Sequence, residues 1–212
     1  MYPAEDNRTI KELCGEEMTA IVSSFIFERS RDIVYPFKVT SDANCAFCRK
    51  NKQIFLGEND YEHPEPTFIK RMPASIAALS YDQDYPGRSV VVLRDHVTEF
   101  NSLLKNKLIL YLAFIEDVSA VVDAIETVCE PNRMNYAIYM NLHDHLHMHI
   151  IPRYEWEGDH FNGPPLFSGR SEMDPDFDYR SLALKIRKAI NAHYKPSDLS
   201  KCVENMINDG LP

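Results

Sequence analysis

His143-Asp144-His145-Leu146-His147-Met148-His149-Ile150-Ile151-Pro152-Arg153-Tyr154 gathers four of the chain's eight histidines into seven residues. Side chains of a β-strand alternate between faces, so residues two apart share one. Read as a strand, the segment puts His145, His147 and His149 in a row on one side and Leu146, Met148 and Ile150 on the other. Pro152, which has no N–H to give a ladder, closes it. A single strand histidine is ordinarily a satisfied polar residue, but three on one face cannot all be hidden in a core without partners. Three uses then stand open: a metal cage of neutral imidazoles, a site where ring N–H groups face an anion, and nucleophilic catalysis by one ring nitrogen steadied by its neighbours.

The flanking segments supply the frame. Ile76–Leu79 and Ser89–Leu93 are apolar and β-branched, and Asp84-Tyr85-Pro86-Gly87 between them has turn chemistry, which predicts two antiparallel strands. Leu108, Leu112, Ile115, Val118, Val122, Ile125 and Val128 keep helical spacing, so one long helix is expected over Leu103–Cys129, with Pro131 just beyond its end. Asn135–Met140 reads as a strand, the residues after Tyr154 as a loop, and Asp178–Ala192 as a last amphipathic helix. At the other end Ile10, Leu13, Cys14, Met18, Ile21, Val22 and Phe25 predict an N-terminal amphipathic helix. Strands and helices mixed without βαβ alternation give an α+β fold, an antiparallel sheet with a long helix packed on it.

Composition narrows the partners. The 212 residues are 44% hydrophobic and 26% charged, as in globular proteins generally. A net charge of −9 argues against a broad grip on long nucleic acid, which needs clustered Lys and Arg. The apolar runs fall well short of the ~20 residues of a spanning helix, and Glu5, Asp6, Glu12, Glu16 and Glu17 are foreign to a secretory signal. A cytoplasmic chain that avoids membranes is expected. Its five cysteines are too scattered for a disulfide framework. Only Cys45-Ala46-Phe47-Cys48 stands out, because two-residue spacing lets both sulfurs reach one tetrahedral ion. Two buried thiols or a redox pair are the alternatives, although the βαβ context of thioredoxin-type pairs is missing.

His145-Leu146-His147-Met148-His149-Ile150-Ile151 resembles the motif of the histidine triad family, and Pro152-Arg153-Tyr154 continues it. Tyr85-Pro86-Gly87-Arg88-Ser89-Val90-Val91-Val92-Leu93-Arg94-Asp95-His96 is similar to the segment that precedes the motif there. Asn135-Tyr136 and Asn141 resemble asparagines of the branch of dinucleoside polyphosphate hydrolases. The resemblance implies a triad domain over 45–155, with a helical extension over 1–44 and a C-terminal loop and helix over 156–212. It also implies a nucleotide hydrolase that acts at the α-phosphate of a dinucleoside polyphosphate or nucleoside phosphoramidate through a covalent nucleotidyl-histidine. His147 would be the nucleophile, His149 and His145 its catalytic neighbours, and Asn141 and Asn135 substrate contacts.

Relatives of this kind complete a structural zinc site with two cysteines and two histidines, here Cys45, Cys48, His96 and His145. Magnesium would accompany a polyphosphate substrate, and a homodimer would form through the long helix and a sheet edge. The chain departs from the family pattern at Met140, where glycine is expected, and at Asp144, where proline is usual. A competing expectation, prompted by the extension before Cys45, is a non-catalytic nucleotide-binding or zinc-stabilised interaction module. His143, His63, His160 and His193 are expected at the surface, while Trp156 either borders a base pocket or simply packs.

Overall fold

The computed structural model describes residues 37–49 and 65–210. The helix expected over Ile10–Phe25 lies outside the described residues. Five strands form one antiparallel sheet: β1 (Phe68–Arg71), β2 (Ser75–Leu79), β3 (Ser89–Leu93), β4 (Arg133–Ala137) and β5 (His147–Arg153), in the spatial order β1-β2-β3-β5-β4. The helices are α1 (Phe100–Asn106), α2 (Leu108–Cys129), α3 (Tyr179–His193) and α4 (Asp198–Gly210), and a 3₁₀ segment, Glu155–Asn162, follows β5. The expected α+β architecture is the one observed.

The turn between β2 and β3 closes as its residues demand. Gly87 has φ +88, and a Cβ there would lie 2.8 Å from Cys129 Sγ on α2, so only glycine lets the turn meet the helix. The pairs Val90↔His149 and Val92↔His147 then place four side chains on one face of the sheet. Val91↔Met148 faces the other way, into a core shared with α2, α3 and α4: Val91, Phe114, Val121, Ile186, Ile190, Val203 and Ile207 are all buried in it.

Several expectations shift. The helix read over Leu103–Cys129 is two helices, broken at Lys107 (φ −141, ψ 52). No Gly or Pro marks the break; it lets Lys107 Nζ reach the Lys38 carbonyl at 2.9 Å and the buried Asp95 carboxylate. The strand read to Met140 ends at Ala137. β1 escaped the pattern because a register shift between Phe68 and Lys70 buries neighbours Phe68 and Ile69 together, without alternation. α4 was also missed, although Leu199, Val203 and Ile207 recur at every fourth residue. No described helix is long and apolar enough to cross a membrane. Of the described cysteines, Cys202 is disulfide-bonded, while Cys45, Cys48 and Cys129 are free.

Candidate active site and metal centre

β5 opens at His147, so the expected row of three strand histidines is two on the strand and one just before it. The chain ahead of β5 is held by Leu146 N–H donating to Val97 O (2.7 Å) and Leu93 N–H donating to Leu146 O (3.0 Å). His147 Nδ1 lies 2.7 Å from the His145 carbonyl. A carbonyl only accepts, so Nδ1 carries the proton and Nε2 keeps its lone pair. Burial holds the His147 pKa below the ordinary histidine value, and nearby His143 adds to this, against the pull of that hydrogen bond. The His149 ring centroid is 5.0 Å from that of His147. Burial, His147 and Arg88 keep His149 down at about 4, so it is neutral at pH 7. Its buried Nδ1 has no hydrogen-bond partner.

His145 turns into the protein and is fully buried. Its Nε2 donates to the Leu93 carbonyl at 2.7 Å, which leaves a bare lone pair on Nδ1. That Nδ1 is 3.4 Å from Cys45 Sγ, 3.5 Å from Cys48 Sγ and 3.2 Å from His96 Nδ1, and Cys48 Sγ is 3.4 Å from His96 Nδ1. All four ligand atoms lie within 4.8 Å of one another. Tetrahedral zinc with ordinary Zn–S and Zn–N bonds has S···N edges of roughly 3.6 Å and N···N edges of roughly 3.3 Å. The four groups are thus a metal-binding set spaced for such an ion, with the Leu93 carbonyl orienting one imidazole from behind. Residues 46–49 form a helical turn carrying the second thiol. Thr40 locks the approach, its N–H and hydroxyl donating to the buried Asp95 carboxylate at 2.6 and 2.8 Å.

Both ring nitrogens of His145 are therefore engaged away from the open face. A role for His145 shared between metal and phosphate has no ring edge left to serve it, which corrects the catalytic part of that expectation. Among the described residues no second cluster of three or more His, Cys, Asp or Glu ligands forms.

Asn135 is paired with Ile151 and Ala137 with His149, so Asn135 sits on the face of the sheet that carries His149. Asn141, exposed in the β4–β5 connection, follows Met140, whose φ of +52 is the left-handed conformation that the missing glycine would adopt without strain. Phe47, between the two cysteines, was passed over in the sequence, yet its ring centroid is 5.1 Å from that of His147 and 4.8 Å from that of His143. No periodicity flags such a residue; only its place between two ligands could have. His143 is exposed, as are His160 and His193. Trp156 is 65% exposed and stacks on Tyr154, with ring centroids 5.3 Å apart.

The model of the HIT domain family matches residues 62–156. No curated protein matches the chain. Among solved structures, a HIT-like protein from Bartonella henselae described as involved in cell-cycle regulation is 19% identical, with a TM-score of 0.51 over 71% of this chain and 98% of that one. A zinc-bound histidine triad family protein from Mycobacterium smegmatis is 17% identical (TM-score 0.49; 70% and 94% covered). A histidine triad protein from Bradyrhizobium japonicum is 22% identical (TM-score 0.49; 58% and 89% covered). At 19% identity the likeness to the Bartonella henselae structure is one of fold, and residues 62–156, which contain the triad strand, match the HIT domain family.

Proposed function

We propose that the protein is a nucleotide hydrolase in which His147 attacks the α-phosphorus of a nucleotide phosphoanhydride or phosphoramidate. The observation that carries this reading is the Nδ1–H bond from His147 to the His145 carbonyl, 2.7 Å, which leaves Nε2 unprotonated on a rigid strand. Nε2 forms a bond to phosphorus as the bond to the leaving group breaks. Water then cleaves the phosphorus–nitrogen bond, releasing a nucleoside monophosphate and restoring the imidazole. His149, neutral and so carrying one ring N–H, supplies a donor for non-bridging oxygens as their charge shifts. Asn135, on the His149 face of the sheet, and Asn141, in the exposed β4–β5 connection, are assigned to the substrate. Residues Cys45, Cys48, His96 and His145 hold a structural zinc, which supplies no chemistry to the reaction and cross-links the segment around 40–48 to the sheet. The homodimer implied by the resemblance is retained, through the outer edge of β4.

Incubating the native protein with a dinucleoside polyphosphate or an adenosine phosphoramidate, quenching in acid and weighing the intact chain is the test. A nucleotidyl adduct is expected on the native chain and none on His147→Ala, whose turnover falls by at least ~10³-fold. An active His147→Ala protein would sink the mechanism. Tight nucleotide binding without turnover or adduct would favour the non-catalytic binding module.

A further inference from the structure

Arg88 stands at the head of β3, and its surroundings are those of a residue built for a ligand. Ser89 pairs with Ile150 and Val90 with His149, so alternation puts Arg88 on the face that carries His149. The backbone there is fixed: Arg88 N–H donates to Tyr85 O and Ser80 N–H donates to Arg88 O, both at 2.9 Å. Gln83 Nε2 also donates to Arg88 O at 2.7 Å. The guanidinium carbon lies 3.8 Å from the Phe167 ring centre, so the aromatic ring covers one face of the plane. Nη1 is 2.7 Å from Asp82 Oδ2, with the two side chains only 13% and 5% exposed.

That ion pair does not use up the fork. With Nη1 taken by Asp82, Arg88 Nε is buried without a hydrogen-bond partner, and so is Nδ1 of neighbouring His149. Arg88 is close enough to help hold the His149 imidazole neutral. A buried donor left unsatisfied is costly and persists where something outside the fold completes it. A guanidinium N–H near a neutral imidazole suits an anionic oxygen, and in the register of β3 on β5 Arg88 stands beyond His149 as counted from His147. An anhydride substrate presents a further phosphate next to the reacting one, whereas an amidate presents an uncharged amine.

We propose that Arg88 binds the phosphate adjoining the one His147 attacks, and so selects phosphoanhydrides over phosphoramidates. This rests on the hydrolase reading above. Two arms of one experiment separate the two. In the first, kcat/KM is measured on a dinucleoside polyphosphate and on an adenosine phosphoramidate for the native chain, Arg88→Gln, Arg88→Lys and Asp82→Asn. The ratio of anhydride to amidate falls about tenfold in Arg88→Gln, is partly restored by Lys and is kept in Asp82→Asn, which breaks the ion pair but leaves the guanidinium. A ratio in Arg88→Gln within about twofold of native, or an equal collapse in Asp82→Asn, overturns the proposal. In the second arm, calorimetry compares ADP with AMP on His147→Asn with and without Arg88→Gln. A preference for ADP that shrinks about tenfold on losing the guanidinium supports the assignment even where no substrate is turned over. No preference for ADP over AMP in the His147→Asn background overturns it whatever the turnover. Where Arg88→Gln melts well below the native chain, Arg88→Lys carries both comparisons.

Discussion

Asp117 sits fully buried on α2, and three donors converge on it: Ala74 N–H at 2.9 Å and Ser75 Oγ at 2.8 Å from the sheet, and the Tyr194 hydroxyl at 3.0 Å from the end of α3. Burial pushes its carboxyl from 3.8 up to about 7, against the pull of those donors. The fold therefore holds this proton over a range in which the unfolded chain has released it. Stability from this group is complete below about 3.8, declines as pH rises towards about 7, and is level above that. The slope in between approaches ~1.4 kcal/mol per pH unit. Thermal melts across that interval should show the native chain losing stability relative to Asp117→Asn as pH rises; parallel profiles would refute the assignment. Asp117 could not be read from sequence, because a lone acid inside an apolar helical pattern looks like a solvated position. Met140 was legible only in reverse, as a residue standing where a glycine was expected and taking up the glycine's backbone conformation at φ +52.

At the scale of elements, the helical turn at 46–49 and the residues entering β5 are joined mainly through side chains that converge on one point. Cys45 and Cys48 were legible from their spacing, and His96 and His145 as their completion through resemblance. The orientation of His145 was not, because strand alternation assumes that the strand has already begun, and here it begins two residues later. A closed four-ligand site contributes its binding free energy to folding. The native chain is expected to carry one zinc by native mass spectrometry and elemental analysis, and chelation should lower its melting temperature by at least ~5 °C. Cys48→Ser should arrive without zinc, melt at the lower temperature and ignore the chelator. A metal-free native chain whose melting is indifferent to added zinc would dispose of the site. The break at Lys107 belongs to this scale too, since the apolar period runs through it and only the tertiary pull of Asp95 and the Lys38 carbonyl separates α1 from α2.

For the whole molecule, fold class and sheet were readable from β2, β3, β5 and the long helix, whose patterns are clean. What escaped were β1, where a bulge scrambles alternation, and α4, beyond the last helix expected. These C-terminal helices alter the association surface. α2 is expected from the resemblance to meet a partner, but much of it is already occupied by α3 and α4 of the same chain. The outer edge of β4 has no neighbouring strand among the described residues. If two copies join there, light scattering should give about twice the 24.5 kDa chain mass. A particle of single-chain mass at micromolar concentration would rule the dimer out.

The position of α3 and α4 sets a limit on how the protein can be divided. The family match stops at residue 156, yet Ile186, Ile190, Val203 and Ile207 pack in the same interior as Val91 and Phe114. A fragment trimmed to the matched length would expose a continuous oily wall along α2 and lose the Tyr194 hydroxyl that steadies Asp117. The natural cutting point of this protein is therefore not the edge of its recognisable motif, and a shortened version would be a poor stand-in for the parent in any of the measurements above.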